Sequence, residues 1–359
     1  MKIALIGPFP PPLGGVSTNV RRLSELLRRD GYDVRTFVEA PAQENRAENA
    51  HWHSSRPTRP GNWLPRAVRA FKPDLLHSHS STLRKYDAFL AGWLGTPLVY
   101  QIYGERFPEQ YRQWSFPARR LAGWALGRAR RVIPASSDLA AFVETLGANP
   151  KNVVTIPCLL PLEDPDGESG GFPEELVGSR GGKRIVLVTS GFYEAHYGLN
   201  LVPQVAATLR KHGLDFVWII VGPASREEHG KLQAKIARAG MEKLVIQAGE
   251  LSRKRMLALL QAADFYVRTK SSDSFGIVVA EAHQLGCRCL FADSNPYFRP
   301  DGKRLFSYRT GAGEDLTQTL LAALAGYDPR RPRERESPFR AAAAENYRRI
   351  RQVYREAGR

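Results

Sequence analysis

The sequence has only three cysteines, Cys158, Cys287 and Cys289, in 359 residues. That is too few for a disulfide framework, and Cys287-x-Cys289 lacks the second pair of ligands a zinc site would need. Alternation along a strand accounts for it. Long apolar runs are also missing. No stretch approaches the roughly 18 apolar residues of a membrane-spanning helix. Met1-Lys2-Ile3-Ala4-Leu5-Ile6-Gly7 is too short for the apolar part of a secretion signal and reads as a first strand. The expected location is therefore cytoplasmic, or peripheral on the inner face of the plasma membrane. No Gly-x-Gly-x-x-Gly follows that strand, which speaks against nicotinamide binding. No zinc-finger, RNP or basic-zipper pattern points to nucleic acid. Acidic residues are scarce, 36 against 52 Lys and Arg, and the formal net charge is +16. Such a balance suits a phosphorylated substrate, a polyanion or an anionic membrane surface.

What is present is a globular composition, 43% hydrophobic and 25% charged, in a chain long enough that two domains are expected. Residues 2–6 read as a strand and Gly7 to Gly15 as a Pro/Gly-rich loop. Val16 to Arg29 read as a helix with Val20, Leu23, Leu26 and Leu27 on one face, capped by Ser17 or Thr18. The βα alternation continues through strands at 33–38, 74–79, 97–102 and 131–136, with a last strand at 153–157. It restarts at Arg184 after a stretch rich in Pro, Gly and charge, which reads as a linker. Asp164-Pro165-Asp166 is formally an Asp-x-Asp metal motif, but no strand precedes it, and no metal is expected there.

The most informative stretch runs from Ala262 to Gly286. Phe265-Tyr266-Val267 reads as a short buried strand, Lys270 to Ser274 as a polar loop and Phe275 to Leu285 as a helix closed by Gly286. The loop end of such a unit faces the ligand crevice of an open α/β sheet, and the helix N-terminus offers N–H groups suited to a phosphate. Asp273 and Glu281 cannot hold phosphate, but they can accept hydrogen bonds from the hydroxyls of a sugar or ribose. Gly14-Gly15 permits either close backbone approach to a ligand or a plain turn. Residues 111–131, with Arg112, Trp114, Phe116, Arg119, Arg120, Leu121, Trp124, Leu126, Arg128, Arg130 and Arg131, form a basic segment with aromatics. Trp63, Arg66, Arg69 and Phe71 could extend it. It fits either an anionic membrane surface or a packed helix with a solvated Arg face.

Asp273-Ser274-Phe275-Gly276-Ile277-Val278-Val279-Ala280-Glu281-Ala282-His283-Gln284-Leu285-Gly286 resembles the acid, seven residues, then Glu pattern of retaining GT-B glycosyltransferases of group 1, or family 4. Gly7-Pro8-Phe9-Pro10-Pro11-Pro12-Leu13-Gly14-Gly15-Val16-Ser17 is similar to the family's first loop, especially in members that build bacterial exopolysaccharides and lipopolysaccharides. The resemblance covers nearly the whole chain. It implies an α/β fold of two Rossmann-like domains facing a central cleft, with a C-terminal helix returning toward the N-terminal domain. The acceptor-binding domain would be 1–165, the linker 166–183, the nucleotide-sugar domain 184–335 and the terminal helix 336–359. It further implies sugar transfer from a UDP- or GDP-linked donor to a glycan or polyprenyl-linked acceptor, with retention, in surface polysaccharide synthesis. No cofactor or metal is expected, and the leaving phosphate would accept the acceptor's proton.

The same resemblance assigns roles. Glu281 would bind the ribose and Asp273 would lie near the sugar. Phe275, Gly276 and Ile277 would present N–H groups, and Gly14 and Gly15 would approach the donor. The departures are specific. Tyr103, in Gln101-Ile102-Tyr103-Gly104, stands where a His is usual; His79 is the better ligand-facing histidine and His77 points inward. In Ser190-Gly191-Phe192-Tyr193-Glu194-Ala195-His196-Tyr197-Gly198, Phe192 replaces the usual Arg and Tyr197 the usual Lys of the diphosphate grip. Arg268, Lys270 and Arg299 are the candidate replacements, with His196 a weaker one. A chain that has lost this grip could instead be a non-catalytic binding partner in a polysaccharide assembly complex. A sugar-nucleotide epimerase on the same fold is a third reading.

Overall fold

The computed structural model describes residues 1–10, 14–39, 50–53, 64–162, 184–271, 273, 275–295, 297–330 and 333–358. The linker expected over 166–183 and the Asp164-Pro165-Asp166 motif lie outside the described residues. The chain forms two compact units, one of residues 1–161 with 342–359, the other of 162–341.

The first unit contains β1 (Lys2–Ile6), α1 (Gly15–Arg29), β2 (Asp33–Glu39), β3 (Ala50–His53), α2 (Leu64–Phe71), β4 (Leu75–Ser80), α3 (Asp87–Leu94), β5 (Leu98–Ile102), α4 (Phe107–Arg112), α5 (Phe116–Arg128), β6 (Arg131–Pro134) and α6 (Ser137–Thr145). Its sheet is parallel throughout, in the order β3-β2-β1-β4-β5-β6. The second contains β7 (Ile185–Ser190), α7 (Val202–Lys211), β8 (Phe216–Val221), α8 (Arg226–Arg238), β9 (Val245–Gly249), α9 (Arg253–Ala262), β10 (Phe265–Val267), α10 (Ile277–Gln284), β11 (Arg288–Ala292), β12 (Leu305–Tyr308) and α11 (Gly313–Leu324); α12 (Pro338–Ala357) closes the chain. The second sheet is also parallel, in the order β12-β11-β10-β7-β8-β9. Counted from β7, this repeats the arrangement of the first. Each sheet reverses its winding once, at β1/β4 and at β7/β10, and ligands of such sheets bind outside the strand ends at that point.

Strands covered on both faces are near-continuous apolar runs; all six residues of β8 are buried. The expected helix face of α1 holds, with Val20, Leu23, Leu26 and Leu27 buried. Its start differs from expectation. Gly14 is the N-cap, and the Ser17 hydroxyl donates to the Gly14 carbonyl at 3.1 Å instead of capping. Helix α12 contributes Tyr347, Ile350, Val353, Tyr354 and Ala357, spaced by three and four, to the first unit's core. In the second unit Asp264 is a buried anchor. Its carboxylate accepts the Val186 N–H at 2.8 Å, the Tyr327 hydroxyl at 2.8 Å and Arg333 at 2.7 Å.

The strand expected over 153–157 is a correction. It runs beside β6 with one bridge, Val132 with Val153, and its Val154 and Ile156 N–H groups donate to the Val132 and Pro134 carbonyls at 2.9 and 3.0 Å, but Pro134 has no N–H to return a bond, so no regular strand forms. Strands β3 and β12 were not anticipated; both are four-residue strands at the edge of their sheets, where the continuous apolar run of a central strand is not required.

His77 and His79, two apart on β4, are both fully buried on the face covered by α1 and α12. Burial, then the neighbouring His79, holds His77 well below its ordinary range. Burial, then Arg84, holds His79 at about 3. Both are neutral in the folded state and free to protonate near 6.5 when unfolded, so this stability is complete above pH 6.5 and is lost as pH falls. For His79 this costs about 2 kcal/mol by pH 5. The first unit's unfolding temperature is therefore expected to drop between pH 7 and pH 5, above the range where carboxylates protonate. His79→Gln should flatten that dependence; an unchanged pH slope in the variant would remove His79 as the cause.

Candidate active site

The site is assembled at the β7/β10 reversal of the second unit. β7 ends at Ser190 and runs into the loop through Gly198, while β10 runs into Arg268, Thr269 and Lys270. The loops are tied together. Thr269 Oγ1 donates to the Tyr197 carbonyl at 2.6 Å, and the Ser271 N–H to the His196 carbonyl at 2.9 Å. Arg268 donates to the Ser190 carbonyl at 2.9 Å, and Ser190 Oγ pairs with the Tyr266 hydroxyl at 2.8 Å.

Arg268 and Asp273 form a two-pronged pair, Nε to Oδ2 at 2.6 Å and Nη2 to Oδ1 at 2.9 Å. Lys270 Nζ adds a third contact to Oδ1 at 3.3 Å. All three side chains are almost buried. Burial alone would raise the Asp273 carboxyl, but Arg268 and then Lys270 outweigh it and hold it below the usual carboxylate range. Burial would likewise lower Arg268, and Asp273 more than offsets this, so its guanidinium stays charged. The cluster holds two cations and one anion, leaving one positive charge at the strand ends.

Tyr197 explains what became of the usual loop cation. Its ring centroid lies 5.5 Å from the Arg268 guanidinium and 5.3 Å from Lys270 Nζ. An aromatic platform thus stands where a Lys is expected, and the positive charge comes from the next strand. Phe192 supports it edge-on, with centroids 5.5 Å apart. Gly191 makes room, since a Cβ there would lie 2.3 Å from the Tyr197 ring.

α10 starts after Gly276, whose φ is +77° and which supplies no side-chain cap. A Cβ at Gly276 would sit 3.1 Å from Phe298 and 3.4 Å from Asp273 Oδ2. The first N–H groups of a helix lack intrahelical partners, so a side-chain-free N-terminus next to a net positive cluster suits an anion. Phe275 is buried between Tyr297 and Phe298, and its carbonyl accepts from Asn295 at 3.2 Å. Ile277 is half-buried. Asp273 is not the helix cap.

Glu281 is buried, and both oxygens are held by Arg253, at 2.5 and 2.8 Å. Arg253 opens α9, 28 positions away, and nothing in the local sequence marks it. Arg299 is exposed and, among the described residues, stands outside the Asp273 cluster. His196 pairs with Glu194 at 3.3 Å.

In the first unit Tyr103 turns inward. Its hydroxyl lies 2.8 Å from His79 Nδ1 and donates to Asn19 Oδ1 at 3.1 Å, with all three residues buried. These bonds tie the Tyr103 hydroxyl to β4 and α1, and His79 is enclosed rather than exposed at the strand end. Asn19 was missed, though a polar residue inside the apolar stripe of α1 is the signal. His77 is inward as expected, 2.6 Å from the Tyr354 hydroxyl. Gly14 and Gly15 lie at the β1 end, and a Cβ at Gly15 would meet nothing within 4 Å among the described residues. The fold's own packing does not demand glycine there.

Two family models match in succession, a glycosyl transferase 4-like domain over residues 14–158 and glycosyl transferases group 1 over residues 177–299. The chain belongs to the group 1 glycosyltransferases of the GT-B fold. Among curated members of this glycosyltransferase family, it is 24% identical over 363 residues to GDP-mannose:cellobiosyl-diphosphopolyprenol alpha-mannosyltransferase of Xanthomonas campestris, covering 92% of this chain and 90% of the relative. It is 25% identical to D-inositol 3-phosphate glycosyltransferase of Pseudarthrobacter chlorophenolicus, over 76% and 72% of the two chains. The structure of Anabaena HepE in complex with UDP and glucose superposes with a TM-score of 0.75 at 17% identity over 99% of each chain. The lipopolysaccharide glycosyltransferase WaaG superposes with a TM-score of 0.64 at 16% identity, over 99% of this chain and 98% of that one.

Proposed function

We propose that this glycosyltransferase moves a hexosyl group from a UDP- or GDP-linked donor to a glycan or polyprenyl-linked acceptor, with retention, in the synthesis of a bacterial surface polysaccharide. The observation that carries the reading is the buried Arg268–Lys270–Asp273 cluster at the β7/β10 strand ends, beside the glycine-started α10. Transfer from such a donor expels a nucleoside diphosphate. Its developing charge is stabilised by fixed cations and helix N–H groups. Arg268, held in place by Asp273 and the Ser190 carbonyl, and Lys270 supply the cations. Asp273 fixes Arg268 and shares a hydrogen bond with a donor sugar hydroxyl. Glu281, oriented by Arg253, accepts from the ribose. No dedicated base is needed if the leaving phosphate accepts the acceptor's proton. Because these cations provide the charge a divalent ion would provide, turnover is expected to persist in a chelator.

Similarity to the GDP-mannose:cellobiosyl-diphosphopolyprenol alpha-mannosyltransferases supports both a GDP-mannose donor and a diphosphopolyprenol acceptor, and the UDP complexes of HepE support a uridine donor. Calorimetric titration with UDP and with GDP tests the donor reading. Binding tighter than about 1 mM for one nucleotide is expected, a level typical of enzyme substrates, and no binding of either would overturn it. The second reading, a non-catalytic binding protein, is favoured by Phe192 and Tyr197 in the grip positions. Nucleotide binding without turnover on any lipid-linked acceptor would select it.

A further inference from the structure

Five of the six large hydrophobic side chains that stand exposed among the described residues fall between residues 86 and 124 of the first unit: Tyr86, Phe89, Trp93, Phe116 and Trp124. Tyr86 precedes α3, Phe89 and Trp93 lie on it, and Phe116 and Trp124 lie on α5. Phe89 and Trp93 are one turn apart on α3, and Phe89 stacks on Trp124 of α5 with centroids 4.4 Å apart. Along α5, Phe116, Arg120, Trp124 and Arg128 recur every fourth residue and make one outward stripe. Arg120 lies 5.8 Å from the Phe116 ring and Arg128 5.6 Å from the Trp124 ring. Arg69 of α2 continues the surface, 5.1 Å from the Trp93 ring.

This distribution is inverted relative to an ordinary surface helix. α5 buries the small residues Ala122 and Ala125 with Leu126, and turns its rings outward. The rest of the basic segment is not part of this face. Trp114 is partly covered beneath Lys85, Phe71 is in the core, and Arg131 pairs with Glu356 at 3.1 Å. Residues 64–131 carry twelve Lys and Arg against four Asp and Glu.

We propose that the outward face of α3 and α5, with Arg69, docks on an anionic lipid bilayer. Rings and guanidinium groups alternate along one stripe, so the rings can enter the headgroup boundary while each neighbouring cation meets a lipid phosphate. A second copy of the chain is disfavoured by the charge. A self-contact about a two-fold axis would bring Arg69, Arg120 and Arg128 against their own copies. No helix among the described residues is long and apolar enough to cross a membrane, so attachment would be by this surface. The inference stands apart from the nucleotide-sugar reading, since none of these residues belongs to the second unit.

Cosedimentation with vesicles of phosphatidylcholine containing about 30% phosphatidylglycerol tests it, against vesicles of phosphatidylcholine alone. Binding to the anionic vesicles is expected, with a blue shift of tryptophan fluorescence and release at about 0.5 M salt. An arginine near an anionic surface contributes roughly fivefold to affinity. Arg120→Glu with Arg128→Glu should therefore weaken binding by about 25-fold or more, with nucleotide titration unchanged. Phe116→Ser with Trp124→Ser should remove the fluorescence shift. Equal affinity for both vesicle types, equal affinity of the charge-reversed variant, or binding to nucleic acid in place of lipid would overturn the proposal. So would a stable dimer in light scattering that the same substitutions dissociate.

Discussion

Arg268→Gln is expected to lower kcat/KM by about 10²–10³, the range for removing one preorganised donor from a developing oxyanion. It should also weaken diphosphate binding. The same change destabilises the second unit, because Asp273 stays buried with only Lys270 beside it. Breaking a buried pair costs about 3–5 kcal/mol, and Lys270 keeps the value near the lower end. The two consequences separate in the double variant. Arg268→Gln with Asp273→Asn removes both charges, so stability should return while activity does not. Arg268→Lys keeps the charge but loses the fork that holds both Asp273 oxygens and the Ser190 carbonyl; about tenfold of activity should be lost. Turnover that tracks stability alone across these variants would make Arg268 a structural residue and leave the leaving-group charge to another cation.

Much of this site could be read from the sequence, and the parts that could not share a physical cause. The βα alternation, the strand at Phe265-Tyr266-Val267 and the helix behind Gly276 are local patterns. They locate Asp273, Arg268 and Lys270 within one six-residue reach, so their convergence was foreseeable. The sheet order follows from two right-handed windings of that alternation. Arg253 was invisible because its partner lies 28 residues on, across α9 and β10, and one more Arg among 52 basic residues carries no signal. Tyr197 could be read as a lost cation but not as a platform, since that depends on the Gly191 backbone and on two side chains from β10. The setting of Tyr103 was hidden for a related reason. Its place in the sequence suggests a ligand contact, while its hydrogen bonds to His79 and Asn19 depend on residues 24 and 84 positions away.

The second large effect is expected at Glu281, and it turns on telling a structural ion pair from a ligand contact. Glu281→Ala leaves the Arg253 guanidinium, mostly buried, without the carboxylate that takes both its prongs; a loss of about 3 kcal/mol in the second unit is expected on that ground alone. Nucleotide affinity should fall as well, by about 10- to 100-fold, the value of one hydrogen bond to a charged group. Stability and affinity falling together would not identify the ribose contact. The decisive readout is discrimination. Glu281 has two oxygens and Arg253 uses one lone pair on each, so the remaining lone pairs can accept from two adjacent hydroxyls. The native protein should therefore bind UDP or GDP about tenfold more tightly than the 2′-deoxy or 3′-deoxy analogue, and Glu281→Gln should bind ribo and deoxy forms with nearly equal affinity. Arg253→Gln should show the same loss of discrimination with a smaller loss of affinity, because the carboxylate remains but is no longer oriented. If the ribo-to-deoxy ratio survives in Glu281→Gln, then Glu281 and Arg253 form a strut between α9 and α10, and the ribose is held by the N-terminus of α10 instead.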